Sequence, residues 1–378
     1  MQKTIKIRER LKATVLYYVN KKNQNIILVV ISTSFGLSVK LRLVSRECWD
    51  DEACQVLFSR MPINFIIDSN DVHPPLFNLI AKGFLYLTTD PIMLRSIILV
   101  ISIFAGIAFF ALMKELFDED VATYSYFFLM LSPTFAWYST EFRSYMFVIL
   151  LTMFQIKHFN RMLRGNTISS ISYVWLTVAM IYSHYMAGLI LIPQIIYIFI
   201  TKKFKESFAE IALVGFFCIP LLMYILNTIP KMQSFWFKDI DFVSLISTLF
   251  YTFTPPTFPR FYVLVFVMYF FIMYAFFKNQ PKLKHFQLAL YVFYPVIFMW
   301  IFSQFVPFFH HRYFLFGGIM IFGLAGWGYH VFAKQMHEAF HYIFLITICF
   351  LLLFVPLGYS TPIKDSSVVI TDDIPIVH

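Results

Sequence analysis

A chain of 378 residues that is 59% hydrophobic and 13% charged, with a mean hydropathy of +0.71, has too little polar surface to cover a water-soluble core. With 48 Phe against 12 Gly and 17 Pro, the composition also excludes a disordered chain, a collagen-like repeat and a disulfide scaffold. The net charge of +9 fits the basic cytoplasmic loops of a membrane protein better than a nucleic-acid surface, so no nucleic-acid partner is expected. The apolar runs are continuous rather than alternating, so they read as helical spans and not as barrel strands. The fold class that follows is an all-α polytopic membrane protein.

In chain order, a basic cytoplasmic segment, 1–24, opens the sequence. Apolar cores then fall near 25–44, 93–113, 121–139, 143–160, 168–183, 185–201, 208–228, 261–277, 286–306, 314–332 and 342–358, so about eleven spans are expected. Very short turns separate 121–139 from 143–160 and 168–183 from 185–201. The first core carries Lys40 and Arg42 and is followed by no small-residue cleavage site, which argues against a signal peptide. With the N-terminus inside, 18 of the 30 basic residues but only 8 of the 21 acidic ones lie on the cytoplasmic side. The acidic loop Lys114–Asp120 runs against this pattern, but acids contribute little to topology.

Two extracytoplasmic segments are long, 45–92 and 229–260, and a tail covers 359–378. Neither segment is polar enough to be a soluble domain, so 1–378 reads as a single membrane domain. Within the first, Gln55–Ile67 reads as a short amphipathic helix broken at Pro62, and Leu76–Leu87 as a second interfacial helix containing Lys82. Trp49 can anchor this loop at the interface. Of the four Cys, Cys48 and Cys54 share this loop while Cys218 and Cys349 lie in apolar runs, which is no zinc pattern. In an oxidising compartment Cys48 and Cys54 can pair or stay free.

Four features carry chemistry. Glu47, Asp50, Asp51, Glu52, Asp68 and Asp71 bring carboxylates to the membrane surface, either as a solvated loop or as a general base or metal site. His73-Pro74-Pro75 sets up a helix start, where backbone N–H groups favour an anion and Asp71 or His73 stands at the entrance. Tyr138 through Tyr145 holds Glu141 and Arg143, two apart. On a helix they face different sides, so each needs its own partner. An inward Arg143 suits a phosphate, whereas an outward one would snorkel to the headgroups. Pro307 through Tyr313 packs His310, His311 and Arg312 into a cationic group, in which adjacent His residues are poor co-ligands of one metal.

In this order and spacing, the doublet Asp51-Glu52, Asp71-x-His73-Pro74-Pro75-Leu76, Arg95-Ser96, Ser132-Pro133 through Tyr145 and the late Arg312-Tyr313 resemble the GT-C superfamily of integral membrane glycosyltransferases. The branch most similar is that of protein O-mannosyltransferases and lipid A aminoarabinose transferases. The detailed likeness covers roughly residues 45–160. The resemblance implies a polyprenyl-phosphate-linked sugar donor and transfer with inversion on the extracytoplasmic side of the cell membrane. The acceptor would be a glycolipid, a surface polysaccharide or a protein hydroxyl. It implies a catalytic carboxylate at Asp51, with Asp50 the alternative register and Glu52 the second acid. His73, Asp71, Glu141, Arg143, Tyr145, Arg312 and Tyr313 would bind substrate, with or without a divalent cation as cofactor. Larger members carry a soluble C-terminal domain that this chain lacks, which weakens the case for a folded-protein acceptor. The rival reading is a transporter or flippase of a lipid-linked or amphipathic solute. It would place ionisable groups at mid-membrane and show related halves, and neither is visible here.

Overall fold

The computed structural model describes residues 2–46, 48, 50–68, 73–232, 241–251, 262–305, 309–336, 340 and 343–348. Glu47, Trp49, Asp71, Pro307, Cys349, most of the expected last span and the 359–378 tail lie outside the described residues, as does much of the 229–260 segment. All regular structure among the described residues is helical, and the protein is a polytopic membrane protein.

The first helix, α1 (Gln2–Val44), runs unbroken through the basic segment into the first apolar core. The 45–92 segment folds as α2 (Asp50–Arg60), α3 (Ile63–Asp68) and α4 (Pro75–Leu85). The break at Met61-Pro62 lies where the sequence places it, because Pro62 lacks an N–H to continue α2. Lys82 of α4 closes that end: its Nζ donates to the Met61 carbonyl at 2.8 Å and the Arg60 carbonyl at 3.2 Å. A cation on orphan C-terminal carbonyls satisfies them and complements the helix dipole. Gln55 donates to Asn78 across the α2–α4 contact.

The next helices begin at local signals. Asp90 accepts from the Ile92 and Met93 N–H groups and Pro91 occupies the first turn of α5 (Pro91–Leu116). Asp118 caps α6 (Glu119–Leu131). The expected 121–139 span is in fact broken: Ser132 ends α6 and caps α7 (Pro133–Tyr138) by accepting from the Phe135 N–H at 3.2 Å. Pro133 cannot extend α6, and its fixed φ suits a new first turn. Residues 139–144 are irregular, so α8 (Tyr145–Met162) starts after Glu141 and Arg143, neither of which is helical. Then follow α9 (Thr167–Ser183), a 3₁₀ turn (Tyr185–Ile190) leading into α10 (Leu191–Thr201), α11 (Phe208–Met232), α12 (Phe242–Tyr251), α13 (Tyr262–Lys278) and α14 (Leu283–Phe302). A 3₁₀ turn at His311–Phe314 precedes α15 (Leu315–Gly318) and α16 (Met320–Ala333).

By length and apolar content Lys21–Val44, Pro91–Leu116 and Leu283–Phe302 are each long enough to cross a membrane. His311–Gly318 and Met320–Ala333 together are long and apolar enough to cross as well, but are bent by 53° at the break between them, the shape of a broken span or a re-entrant loop. Shorter apolar helical stretches of 10 to 17 residues include Pro75–Leu85, Thr167–Ser183, Tyr185–Thr201 and Tyr262–Lys278.

Packing inside the bundle relies on close approach and on paired polar groups, because lipid offers no hydrophobic drive between helices. Gly326 of α16 lies so near α6 that a Cβ there would stand 2.7 Å from the Ser125 Cα. Gly326→Ala is therefore expected to destabilise the bundle by about 1–3 kcal/mol, read as a lower melting temperature in detergent. Between α8, α9, α10 and α14 a buried network closes on itself. Gln155 and Gln194 exchange two hydrogen bonds at 3.0 and 2.8 Å, Tyr173 donates to Gln194 at 2.9 Å, and Gln194 donates to Tyr291 at 3.2 Å. Lys40, buried in α1, rests 4.2 Å above the Phe135 ring and donates to Ser102.

Two charged ends result. One gathers Lys21, Asn25, Glu115, Asp120, Arg161 and Lys284 around the α5–α6 turn. The other gathers Arg46, Glu52, His73, Arg95, Glu141, Arg143, His184 and Arg312, and is the candidate site.

Candidate active site

The site is tethered by Glu52, in the first turn of α2. Arg95, near the start of α5, donates to both Glu52 oxygens, Nε to Oε1 at 3.0 Å and Nη2 to Oε2 at 2.6 Å. The Phe142 N–H donates to Oε1 at 2.8 Å. Arg95 also donates to the carbonyls of Val44, at 3.0 Å, and Arg46. One bidentate pair therefore joins the end of α1, the start of α2, the start of α5 and the 139–144 turn. Both side chains are almost fully buried, at 3% and 2% exposure. Glu52 thus has both oxygens engaged by Arg95 and the Phe142 N–H in a buried setting.

Asp51, one residue earlier, points the other way. It is half-buried, and its Oδ2 pairs with Nη1 of Arg312, 261 residues later in the chain. Asp50 is exposed. Of these two neighbours, Asp51 is the one that faces the late arginine. Arg143 donates through Nη1 to the Asp51 carbonyl at 3.0 Å and through Nη2 to His73 Nε2 at 2.7 Å. Arginine offers no acceptor, so His73 Nε2 must be unprotonated and the proton sits on Nδ1. Burial first, then the nearby Arg143, His184 and Arg312, hold His73 well below its ordinary value, which agrees with a neutral ring.

Glu141 is buried at 4% exposure among Arg46, Arg143 and Arg312, with Glu52 nearby. Burial pushes its carboxyl up from 4.5 to about 7, against the pull of the arginines. Its folded-state value lies above the unfolded one, so the folded protein holds the extra proton between the two. The stability this provides is complete below about pH 4.5 and lost as the pH rises through about 7. Glu141→Gln is expected to flatten the fall in melting temperature over that window, as measured by thermal unfolding at stepped pH.

The remaining members come from separate elements. Arg46, just past α1, stacks 4.1 Å over Trp137 and donates to Thr140. Tyr145 opens α8, with its ring 5.0 Å from Tyr138 and 5.7 Å from His184. Tyr313 lies 5.8 Å from His184. His310 caps the 3₁₀ turn by accepting from the Arg312 N–H at 3.3 Å, and its ring stands 4.3 Å from His311. In sum, Asp51, His73, Glu141, Arg143, Tyr145, Arg312 and Tyr313 are brought together, Glu52 lies beneath them and Asp50 at the edge. Four guanidinium groups face three buried or half-buried carboxylates, a balance that attracts an anion.

Sequence reading missed Arg46, counted only as a topology charge, and His184. The signal for His184 was there: the single residue between two apolar cores is a histidine. Cys48 and Cys54 are both exposed, and no disulfide joins them. Among the described residues, one group of three potential metal ligands lies close together: Asp118, Asp120 and His330. It sits at the opposite end, where Asp120 already pairs with Lys21 and Asn25.

Below the site, an apolar groove of about 450 Å³ runs between α4, α9 and α11. Pro75, Leu76, Leu79, Trp175, Tyr182 and Phe217 are among its walls. Its head lies where α4 begins, after His73, and where α9 ends, before His184.

Residues 72–225 match the model of the family described as dolichyl-phosphate-mannose-protein mannosyltransferase. No curated protein matches the chain in sequence. Among solved structures the chain is similar to an oligosaccharyltransferase of Archaeoglobus fulgidus, with a TM-score of 0.50, 11% identity, and coverage of 88% of this chain and 55% of that one. It is also similar to ArnT of Cupriavidus metallidurans, with a TM-score of 0.48, 10% identity, and coverage of 81% and 61%. The chain thus spans between half and two thirds of the length of these two proteins. The family match spans less than half of the chain, and the likeness to the archaeal structure is one of fold.

Proposed function

We propose that the protein transfers a sugar from a polyprenyl-phosphate-linked donor to a hydroxyl acceptor at the extracytoplasmic face of the cell membrane, with inversion. The observation that carries this reading is the junction of two environments. A carboxylate, Asp51, and two guanidinium groups, Arg143 and Arg312, gather near His73, two residues before Pro75 in the wall of an apolar groove. A prenyl chain suits the groove between α4 and α9, and its phosphate suits the cationic head beside His73.

In this mechanism Asp51 accepts the proton of the acceptor hydroxyl as that oxygen bonds to the anomeric carbon. The bond from that carbon to the phosphate oxygen breaks, and the charge it leaves falls on the prenyl phosphate. Arg143, Arg312 and the Nδ1–H of His73 stabilise it. The acceptor attacks opposite the leaving phosphate, so the configuration inverts. Glu52 and Arg95 position Asp51, and Glu141, Tyr145 and Tyr313 shape the sugar side. The site end is extracytoplasmic because the opposite end carries the basic excess. Suitable acceptors are a glycolipid, a surface polysaccharide or a protein hydroxyl.

Proteoliposomes loaded with a labelled prenyl-phosphate sugar and candidate acceptors test this reading. A new glycosidic product supports it. Relocation of the intact donor across the bilayer without any product identifies a transporter instead.

A further inference from the structure

His184 occupies the single residue between α9 and the 3₁₀ turn that opens the next helix, with extended backbone at φ −163° and ψ 117°. It is buried at 3% exposure, and neither ring nitrogen has a hydrogen-bond partner. Its neighbours are rings: Phe316 at 4.8 Å, Tyr145 at 5.7 Å, and His73 and Tyr313 at 5.8 Å each. Its nearest charges are Arg143 and Arg312. An ordinary core histidine spends at least one nitrogen on a carbonyl, hydroxyl or carboxylate, because a buried polar atom left unpaired costs about 1–3 kcal/mol. Both nitrogens here are unspent, and the ring neighbours His73 and Tyr313, which are themselves only half-buried. Burial first, then the two arginines, pull the imidazole down to about 3, so it is neutral and keeps one N–H to donate.

We propose that His184 is a donor-binding residue, whose ring N–H donates to a phosphate oxygen of the lipid-linked ligand between Arg143 and Arg312. The proposal rests on the polyprenyl-phosphate reading above and adds a residue to it. A neutral imidazole suits this place: it adds a directional hydrogen bond without a third positive charge beside two guanidinium groups. The geometry also joins head to tail. His184 follows Ala179 and Tyr182 along the α9 wall of the groove, as His73 precedes Pro75 and Leu76 on the α4 wall. A chain lying in that groove presents its head to both rings.

The test uses the full chain in lipid nanodiscs and two probes of equal prenyl length, a polyprenyl phosphate and the matching polyprenol. Wild type is expected to bind the phosphate more tightly. His184→Phe is expected to weaken phosphate binding by about tenfold while leaving polyprenol binding within about twofold. His184→Asn, which keeps an N–H donor, is expected to stay within about threefold of wild type. His184→Leu serves where the phenylalanine variant fails to fold, as judged by thermal unfolding. Unchanged phosphate binding by His184→Phe or His184→Leu overturns the proposal, and so does an equal loss for both probes, which marks a packing role. If wild type does not discriminate between the probes, the polyprenyl-phosphate reading itself falls.

Discussion

Asp51→Asn is expected to lower turnover by about 10²- to 10⁴-fold, the range in which a positioned general base contributes. The amide keeps the size of the carboxylate and can still accept from Arg312, so the fold at the site is preserved. Donor binding should therefore survive while transfer is lost. The control is Asp50→Asn, at the exposed neighbouring position, which is expected to keep turnover within a few-fold of wild type. The pair is measured as product formed per unit of protein in proteoliposomes, with polyprenyl-phosphate binding alongside. Wild-type turnover by Asp51→Asn overturns its role as base. The reverse pattern, with Asp50→Asn inactive, shifts the base by one residue.

Glu52→Gln is expected to cost about 3–5 kcal/mol of stability, because it leaves the Arg95 guanidinium buried without its counter-charge. The loss reaches beyond the pair. Arg95 also holds the carbonyls that end α1, so a disturbed guanidinium loosens the four-way junction that aims Asp51 at Arg312. Turnover should fall with stability. Removing both charges in Glu52→Gln/Arg95→Met is expected to recover part of the melting temperature, since no lone charge then remains inside. Activity is not expected to return with it, since the tether of α2 to α5 stays broken. Recovery of full transfer by the double variant would show that the pair is packing alone. An unchanged melting temperature in the single variant would show that Glu52 is not the anchor.

Elsewhere the molecule divides by the range of the forces involved. Asp90-Pro91, Ser132-Pro133 and Asn166 each act within one helical turn, and each opens a helix where it stands. The break after α2 at Pro62 and the start of α4 after Pro74 are local in the same sense. The interruption at Ser132 was written in the residues too, yet the long apolar run around it reads as one span. Hydropathy averages over a window and is blind to a single kink.

Acids of identical type and adjacent number cannot be told apart by any local rule. Asp50, Asp51 and Glu52 are successive residues in the first turn of α2, so they project about 100° apart around its axis. One meets solvent, one the late arginine and one the buried Arg95. Which acid receives which fate depends on how α2 is rotated against α5 and against the turn before α15. The same holds for Glu141 and Arg143, expected to diverge from a helix: they stand on an irregular turn, where Arg143 reaches the Asp51 carbonyl and His73 while remaining among the charges around Glu141.

By itself the sequence determined the membrane class, most of the long apolar helix cores, the helix start after Pro74, and the gathering of charge at the helix ends. Hydropathy and capping are properties of neighbouring residues, so they are legible in order along the chain. Tertiary structure alone decided that Asp51 meets an arginine 261 residues away, that Glu52 serves as a tether across 43, and that a lone histidine between two helices neighbours His73 and Tyr313. Those outcomes depend on the rotation and direction of packed helices, which are set by close contacts such as Gly326 on Ser125 and by buried polar pairs. Such contacts join residues that no sequence window contains together.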